Sequence, residues 1–321
     1  MPNTCDLKIS TYSFHTSLGG YGILNNNIYK YLKRRGAKVY CSPEFAPQRG
    51  TREWDILSDE EKRLFYDPFE IQRIGISGTT PFEFHRNKSE VKVAMTMAES
   101  DFLGKSWVDS CNGMAHVVVP NLFYKEVFER SGVEAPITVL PSGVDIERFP
   151  CHDRPKRTKF VFGQCGYLND RKGTFDLIRA FSSEFSDNEP VELKLHTSNG
   201  LFRYFKDFKD PRIELTWDHK SPEEMNQFYQ SLDCFVFPSK AEGIGYPPRE
   251  AMSTGLPVIL TEYSGLIEIC DPHYSYPISV PRLVPRTDML EQPGNWADID
   301  ISELMYWMRH AYEHQDEARG R

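Results

Sequence analysis

Long apolar runs are what this sequence most plainly lacks. None approaches the roughly 20 residues needed to cross a bilayer, so a transmembrane segment is not expected. Met1 to Asp6 also lacks the basic-then-apolar layout of a secretory signal. The expected location is cytoplasmic, with peripheral contact to a membrane left open. Paired cysteines are missing as well. The seven (Cys5, Cys41, Cys111, Cys151, Cys165, Cys234 and Cys270) are odd in number and never spaced C-x-x-C. That excludes a disulfide framework or a zinc site and fits reduced, mostly buried thiols. The nine histidines are read as dispersed, with no H-x-x-x-H pair near carboxylates, and no structural metal is expected. No repeat of solenoid length stands out. A basic excess is absent too: 38 Lys and Arg face 46 Asp and Glu, for a net charge of -8. A surface of that sign as a whole repels nucleic acid and anionic lipid.

What is present is an ordinary globular composition, 40% hydrophobic and 26% charged, spread over 321 residues. That length favours two cores rather than one. Short apolar strands alternate with helical periodicity in both halves. Strands are expected at 7–13, 37–41, 91–95, 116–119 and 137–140, with a helix on which Leu24, Ile28, Tyr31 and Leu32 fall on one face. Residues 42–68 are charged and irregular and receive no assignment. A basic, proline-containing stretch at 150–159 reads as a linker. Strands are then expected at 160–165, 191–195, 213–216, 234–237 and 257–260. Between them lie helices carrying Phe175, Leu177, Ile178 and Phe181, and then, from Pro222, Met225, Phe228, Tyr229 and Leu232. Cys234-Phe-Val-Phe237 is continuously apolar, as in a strand buried on both faces. Strand–helix alternation implies parallel sheets with right-handed crossovers. The reading is α/β: two Rossmann-like doubly wound domains, 1–150 and 151–321. In such sheets ligands bind where loops leave the carboxyl ends of strands.

The most informative stretch is Glu242-Gly-Ile-Gly-Tyr-Pro-Pro-Arg-Glu250, continuing through Ala251, Met252, Gly255, Pro257, Val258 and Ile259. Its spacing puts Glu242 in a loop and Glu250 on the following helix. Gly243 and Gly245 let a ligand approach backbone N–H groups. A carboxylate at Glu250 can accept a vicinal diol such as ribose; one at Glu242 can meet a sugar hydroxyl. Taken alone, two solvated glutamates flanking a turn explain the spacing as well.

The stretch is not alone. Pro238 to Ile259 resembles the donor-domain signature of the retaining GT-B glycosyltransferases of family 4, the glycosyl transferases group 1. Val139-Leu-Pro-Ser-Gly-Val-Asp145 with Phe149 resembles that family's interdomain segment. Gly166-Tyr-Leu-Asn-Asp-Arg-Lys-Gly173 resembles its basic loop, with Tyr167 where the family carries arginine. Weaker similarity covers residues 95–128. The resemblance implies a GT-B fold whose two domains face each other across a cleft, the first on the acceptor side and the second binding the donor. The last helix, around 302–313, is expected to reach back to the first domain. It further implies metal-independent transfer of a hexose-type sugar, with retention, from a UDP- or GDP-linked donor, and no cofactor.

Chemistry assigns the basic loop independently. Cleaving a glycosyl–phosphate bond develops negative charge on the leaving diphosphate, and preorganised cations must meet it. Lys172 and Arg171, just before a helix N-terminus, suit that task; a solvated basic turn is the plain alternative. The expected donor-binding set is Gly19, Gly20, Gly166, Lys172, Glu242, Gly243, Ile244, Gly245, Tyr246 and Glu250. The expected catalytic set is Lys172, Arg171, Glu242 and Glu99. Glu99 stands where many family members carry a sugar-contacting histidine. There it can stabilise charge or orient an acceptor, or the segment serves as a helix cap through Ser100 and Asp101. His15 is a candidate acceptor or sugar contact, or a packed histidine. Asp298-Ile-Asp300 resembles a D-x-D metal motif, but capping of the next helix explains it better. The acceptor is expected to be a glycan, lipid-linked or small molecule rather than modified nucleic acid. Two rivals remain: an epimerase or hydrolase on the same fold, and a silent nucleotide-sugar binding module.

Overall fold

The computed structural model describes residues 7–13, 19–42, 44, 46–55, 57–66, 68–198, 210–287 and 293–320. His15 lies outside them. The chain forms two compact units, Met1–Ser142 with Glu291–Pro293, and Gly143–Leu290 with Gly294–Arg321.

The first unit carries β1 (Lys8–Thr11), β2 (Lys38–Cys41), β3 (Ile74–Gly78), β4 (Val91–Met95), β5 (His116–Val119) and β6 (Ile137–Val139). They stand in the order β2-β1-β3-β4-β5-β6, all parallel. Parallel neighbours cannot be joined by a tight turn, so the chain returns over the sheet faces. Its helices are α1 (Gly20–Arg34), α2 (Arg52–Asp55), α3 (Asp59–Arg63), α4 (Lys105–Asn112) and α5 (Leu122–Ser131). The stretch that periodicity leaves unassigned holds α2 and α3. A capping box starts α3: Ser58 N donates to Glu61 Oε2 at 2.8 Å and Glu61 N donates to Ser58 Oγ at 3.2 Å. Strand β3 has no counterpart in the sequence reading, because Ile-Gly-Ile-Ser-Gly is a poor strand former. Its second glycine is required by packing. A Cβ on Gly78 would stand 1.8 Å from Asn25 Oδ1, and Asn25 of α1 donates to Gly78 O at 2.7 Å.

The second unit carries β7 (Phe160–Cys165), β8 (Val191–Thr197), β9 (Ile213–Trp217), β10 (Cys234–Phe237), β11 (Val258–Thr261) and β12 (Tyr276–Ile278). Their order is β12-β11-β10-β7-β8-β9, again all parallel. An antiparallel pair, β13 (Leu283–Pro285) and β14 (Asn295–Ala297), is appended. The helices are α6 (Thr174–Glu184), α7 (Pro222–Gln230), α8 (Tyr246–Ser253), α9 (Ile301–Glu313) and α10 (Gln315–Gly320). Strands β7 and β10 are buried at every residue, which is why their sequences do not alternate. Phe162, Phe181, Tyr229, Phe235 and Phe237 are sealed from solvent, and each such side chain contributes about 1.5–3 kcal/mol. The sequential strands β7, β8 and β9 run to one side of the sheet; β10 then returns to the other side of β7. The loops leaving β7 and β10 therefore depart side by side, at the switch point where doubly wound sheets bind ligands.

Two sequence expectations change in this unit. The stretch 150–159 is not merely a solvated linker. Arg154 is drawn inward and donates to Tyr229 O, Leu232 O and Thr254 O at 3.2, 3.0 and 2.9 Å, satisfying carbonyls where α7 and α8 end. Burial pulls its guanidinium down to about 10. Helix α9 packs on α6 of its own unit: Arg309 Nε donates to Glu184 Oε1 at 2.8 Å. The dispersed-histidine reading misses a pair on and just after α9. His310 and His314 stack at 4.3 Å, and His310 Nε2 lies 3.1 Å from Glu317 Oε2. Asp300 caps α9, accepting from Ser302 N and Glu303 N at 2.9 and 3.1 Å, as its sequence reading has it. Among the described residues no helix is long and apolar enough to cross a membrane.

Candidate functional site

The β7–α6 loop is shaped by Gly173, whose φ of 64° is left-handed. A side chain there would also place Cβ 2.0 Å from Pro238 O. Glycine alone lets the two switch-point loops touch. Around that contact the basic pair turns inward rather than out to water. Arg171 and Lys172 are 9% and 8% exposed, and Glu242 of the facing loop is 4% exposed. Lys172 Nζ stands 2.5 Å from Glu242 Oε1, and Arg171 Nη1 stands 3.1 Å from the same oxygen. Arg171 Nη1 also donates to Ala241 O at 2.6 Å, and Ser239 Oγ donates to Glu242 Oε1 at 2.6 Å. Burial pushes the Glu242 carboxyl upward, but the charges of Lys172 and Arg171 outweigh it and hold the group below its ordinary range. The trio is thus two cations around one anion, held against the core. That arrangement suits an anion brought in from outside.

The surrounding groups hold these three in place. Lys172 Nζ lies 5.1 Å from the Phe237 ring centroid, and Gln164 Nε2 donates to Lys172 O at 2.8 Å. Lys240 Nζ pairs with Asp170 and Asp176 at 2.7 and 3.3 Å, while Lys240 N donates to Arg171 O at 2.7 Å. Glu242 N donates to Ser264 Oγ at 2.9 Å. Of these supports, Ser239 lies inside the motif and is open to detection. Gln164, Lys240 and Ser264 carry no sequence signal of such a role.

Left-handed Gly245 starts α8, with Gly243, Ile244 and Tyr246 buried around it. Glu250, on α8, is half-buried. Tyr229 donates its hydroxyl to Glu250 Oε2 at 2.7 Å. Burial raises the Glu250 carboxyl to about 7, against the opposing pull of Tyr229 and Arg148. Among the described residues nothing fills the space where a Gly166 side chain would go (φ 124°), and Tyr167 is half exposed.

In the first unit, Gly19 and Gly20 sit where α1 begins, and among the described residues none comes within 4 Å of where a Gly19 side chain would start. The next residue ties this loop to the end of β4: Tyr21 OH lies 2.9 Å from Thr96 Oγ1 and accepts from Met97 N at 3.2 Å. Glu99 follows that segment, half-buried, near enough for its charge to raise the Tyr21 phenol beyond what burial does. The glycine pair and Glu99 therefore share one end of the first sheet. The helix-cap alternative for Ser100 and Asp101 does not hold. Helix α4 begins at Lys105 after Gly104, and Ser100 Oγ donates to Phe102 O at 2.8 Å instead. Among the described residues no three His, Cys, Asp or Glu side chains gather as a metal site.

Comparison with known proteins falls on the same region. Residues 159–291 match the family model of glycosyl transferases group 1, a span that contains Arg171, Lys172, Glu242 and Glu250. The chain is 28% identical over 166 residues to the capsular polysaccharide biosynthesis glycosyltransferase CapM of Staphylococcus aureus, covering 46% of this chain and 43% of that one. It is 45% identical over 156 residues to the lipopolysaccharide core biosynthesis mannosyltransferase LpsB of Rhizobium meliloti, covering 43% of this chain and 44% of that one. The chain thus spans less than half the length of these relatives. Among solved structures it resembles sucrose-phosphate synthase from Thermosynechococcus elongatus, with a TM-score of 0.69 at 14% identity, over 98% of this chain and 92% of that one. Two parallel six-stranded sheets with this likeness are the two-domain Rossmann-like architecture named GT-B. Residues 159–291 are therefore similar to the glycosyl transferases group 1 family.

Proposed function

We propose that this protein moves a hexose-type sugar from a UDP- or GDP-linked donor to an acceptor, with retention of anomeric configuration and without a metal ion. The observation that carries the reading is the buried Lys172–Arg171–Glu242 cluster at the switch point of the second sheet, with Glu250 on the helix that follows. Lys172 and Arg171 meet the diphosphate, and Glu250 accepts the ribose diol. In the reaction the bond from anomeric carbon to phosphate oxygen breaks, and a bond to the acceptor oxygen forms on the same face. The acceptor proton passes to the departing phosphate, whose charge the two cations stabilise. Glu242 contacts the sugar, and Glu99 stabilises charge or orients the acceptor hydroxyl. The printed names of the relatives, a polysaccharide glycosyltransferase and a mannosyltransferase, support a hexose and a glycan or lipid-linked acceptor.

Because binding stabilises the folded state by mass action, UDP or GDP at millimolar concentration is expected to raise the melting temperature without any sugar attached. A screen in which no nucleoside diphosphate does so overturns the donor assignment. Transfer is expected to persist in EDTA, since side chains meet the phosphate charge. Complete loss, restored by manganese or magnesium, overturns the metal-free mechanism. Release of sugar from the donor at equal rate with and without every acceptor tested marks a hydrolase instead.

Glu250→Ala removes a charge-assisted acceptor and is expected to cost about 1.5–3 kcal/mol of nucleotide affinity. Only the charged carboxylate accepts both ribose hydroxyls, so affinity is expected to rise with pH through about 7. Folding stability has the opposite sign. The native state binds the proton more tightly than the unfolded chain, so stability falls as pH rises from the ordinary 4.5 toward 7. Isothermal titration across that range checks the first, and melting of Glu250→Gln beside the parent protein checks the second.

A further inference from the structure

Tyr229 is sealed from solvent on α7 and sits among aromatic edges: Phe149, Phe228 and Phe235 lie 5.8, 5.8 and 5.7 Å away, centroid to centroid. Packing of this kind fixes a ring without needing its hydroxyl, and phenylalanine would fill the space as well. Yet the hydroxyl is spent in one place, 2.7 Å from Glu250 Oε2. Behind it lies Cys165 Sγ at 3.4 Å, a thiol that burial pushes up to about 12 and keeps neutral. Among the described residues the groups that act on Glu250 are few: Tyr229 from α7, the uncharged Cys165 behind it from β7, and the more distant Arg148 from the segment before β7. Its neighbour Arg249 is turned away to Ile244 O and Glu268 Oε2, at 3.1 and 2.9 Å. Glu250 Oε1 takes no hydrogen bond among the described residues.

We propose that Tyr229 is a positioning residue for nucleotide recognition: its hydroxyl occupies Glu250 Oε2 and thereby aims Oε1 at the ribose diol. The inference rests on Glu250 binding ribose. The same hydrogen bond favours the charged carboxylate against the opposing effect of burial. Without that donor the carboxyl, already raised to about 7, would keep its proton to still higher pH, and a protonated acid cannot accept both hydroxyls. One neutral donor from the core favours the charged form without adding a cation that would compete for the phosphate.

The test measures UDP and GDP affinity, each beside its 2′-deoxy analogue, from mildly acidic to mildly basic pH. In the parent protein affinity rises through about 7 and the 2′-hydroxyl matters. In Tyr229→Phe the rise is expected at higher pH, with a loss of roughly tenfold at neutral pH that basic pH restores. A ring-fluorinated tyrosine at 229, a stronger donor of nearly the same shape, is expected to move the rise to lower pH. This second variant serves where the phenylalanine protein folds poorly. A loss of equal size at every pH, or a parent-like profile in both variants, overturns the role of Tyr229. Glu250→Ala with unchanged affinity and unchanged 2′-deoxy discrimination overturns the ribose reading itself. That separates the two failures.

Discussion

Replacing Lys172 by alanine is expected to lower turnover roughly a hundredfold to a thousandfold, the usual effect of losing one preorganised electrostatic partner of a developing charge. The diphosphate gains charge as the glycosyl bond lengthens, so the ammonium stabilises the transition state beyond the bound donor. Donor affinity falls less, because Arg171 and backbone amides still meet the ground-state phosphate. Lys172 is buried against Glu242 at 2.5 Å, so its removal also costs folding stability, and a lowered melting temperature accompanies the kinetic loss. The assay must therefore run well below that melting temperature, with a native circular dichroism spectrum as control. Near-normal turnover in the folded variant overturns the role of the loop. Arg171→Ala then decides whether this side chain supplies the cation that Tyr167 does not. A comparable loss says that it does, and an unchanged rate makes Arg171 purely a structural ligand of Ala241 O and Glu242.

Glu242→Ala is expected to have the largest effect on stability. Removing one partner of a buried ion pair leaves the other uncompensated and typically costs about 3–5 kcal/mol; here it takes away the shared counter-ion of two cations, each 9% exposed or less. The sign with pH follows. The folded carboxyl is held below its ordinary 4.5, so its stabilising contribution is present above that value and is lost as pH falls below it. Stability of parent and variant is accordingly expected to converge in acid. An incoming diphosphate supplies the missing countercharge, so UDP is expected to raise the melting temperature of Glu242→Ala by more than it raises that of the parent. Turnover is expected to fall further than nucleotide affinity, since the sugar contact is gone while both cations remain. Equal thermal shifts in the two proteins, or affinity that falls further than turnover, contradict this account.

Much of the architecture is legible without coordinates. Strands β7 and β10 announce themselves as continuous apolar runs, because a parallel strand covered on both faces has no polar side to alternate with. Helix α7 is marked by Ser221, Pro222 and Glu224, a capping box with proline at the first turn. Strand β3 is not legible: Gly75 and Gly78 look like breakers, and only the close approach of Asn87, Ser89 and Asn25 explains them. The buried role of Arg154 is hidden for a similar reason, since two of the carbonyls it caps lie 75 and 100 residues away along the chain.

The candidate site divides along the same line. Its residue types and spacing are readable because they are local: Lys172 beside the glycine that opens α6, and Glu242 and Glu250 on either side of the glycine turn that starts α8. What Glu242 does in the folded chain is not readable. It lies 70 residues from Lys172, and only the return of β10 to the side of β7 makes it the counter-ion of both cations. Tyr229 reads as one more apolar position on the inner face of α7, because periodicity reports burial and not where a hydroxyl points. Strand burial, helix caps and glycine turns are encoded within a few residues, so the two-domain α/β class and the loops that hold the candidate site follow from the order of residues alone. Which charges neutralise one another, and which carboxylate is held near neutrality, emerge only in the folded chain, because both depend on desolvation and on partners brought together across the sheet.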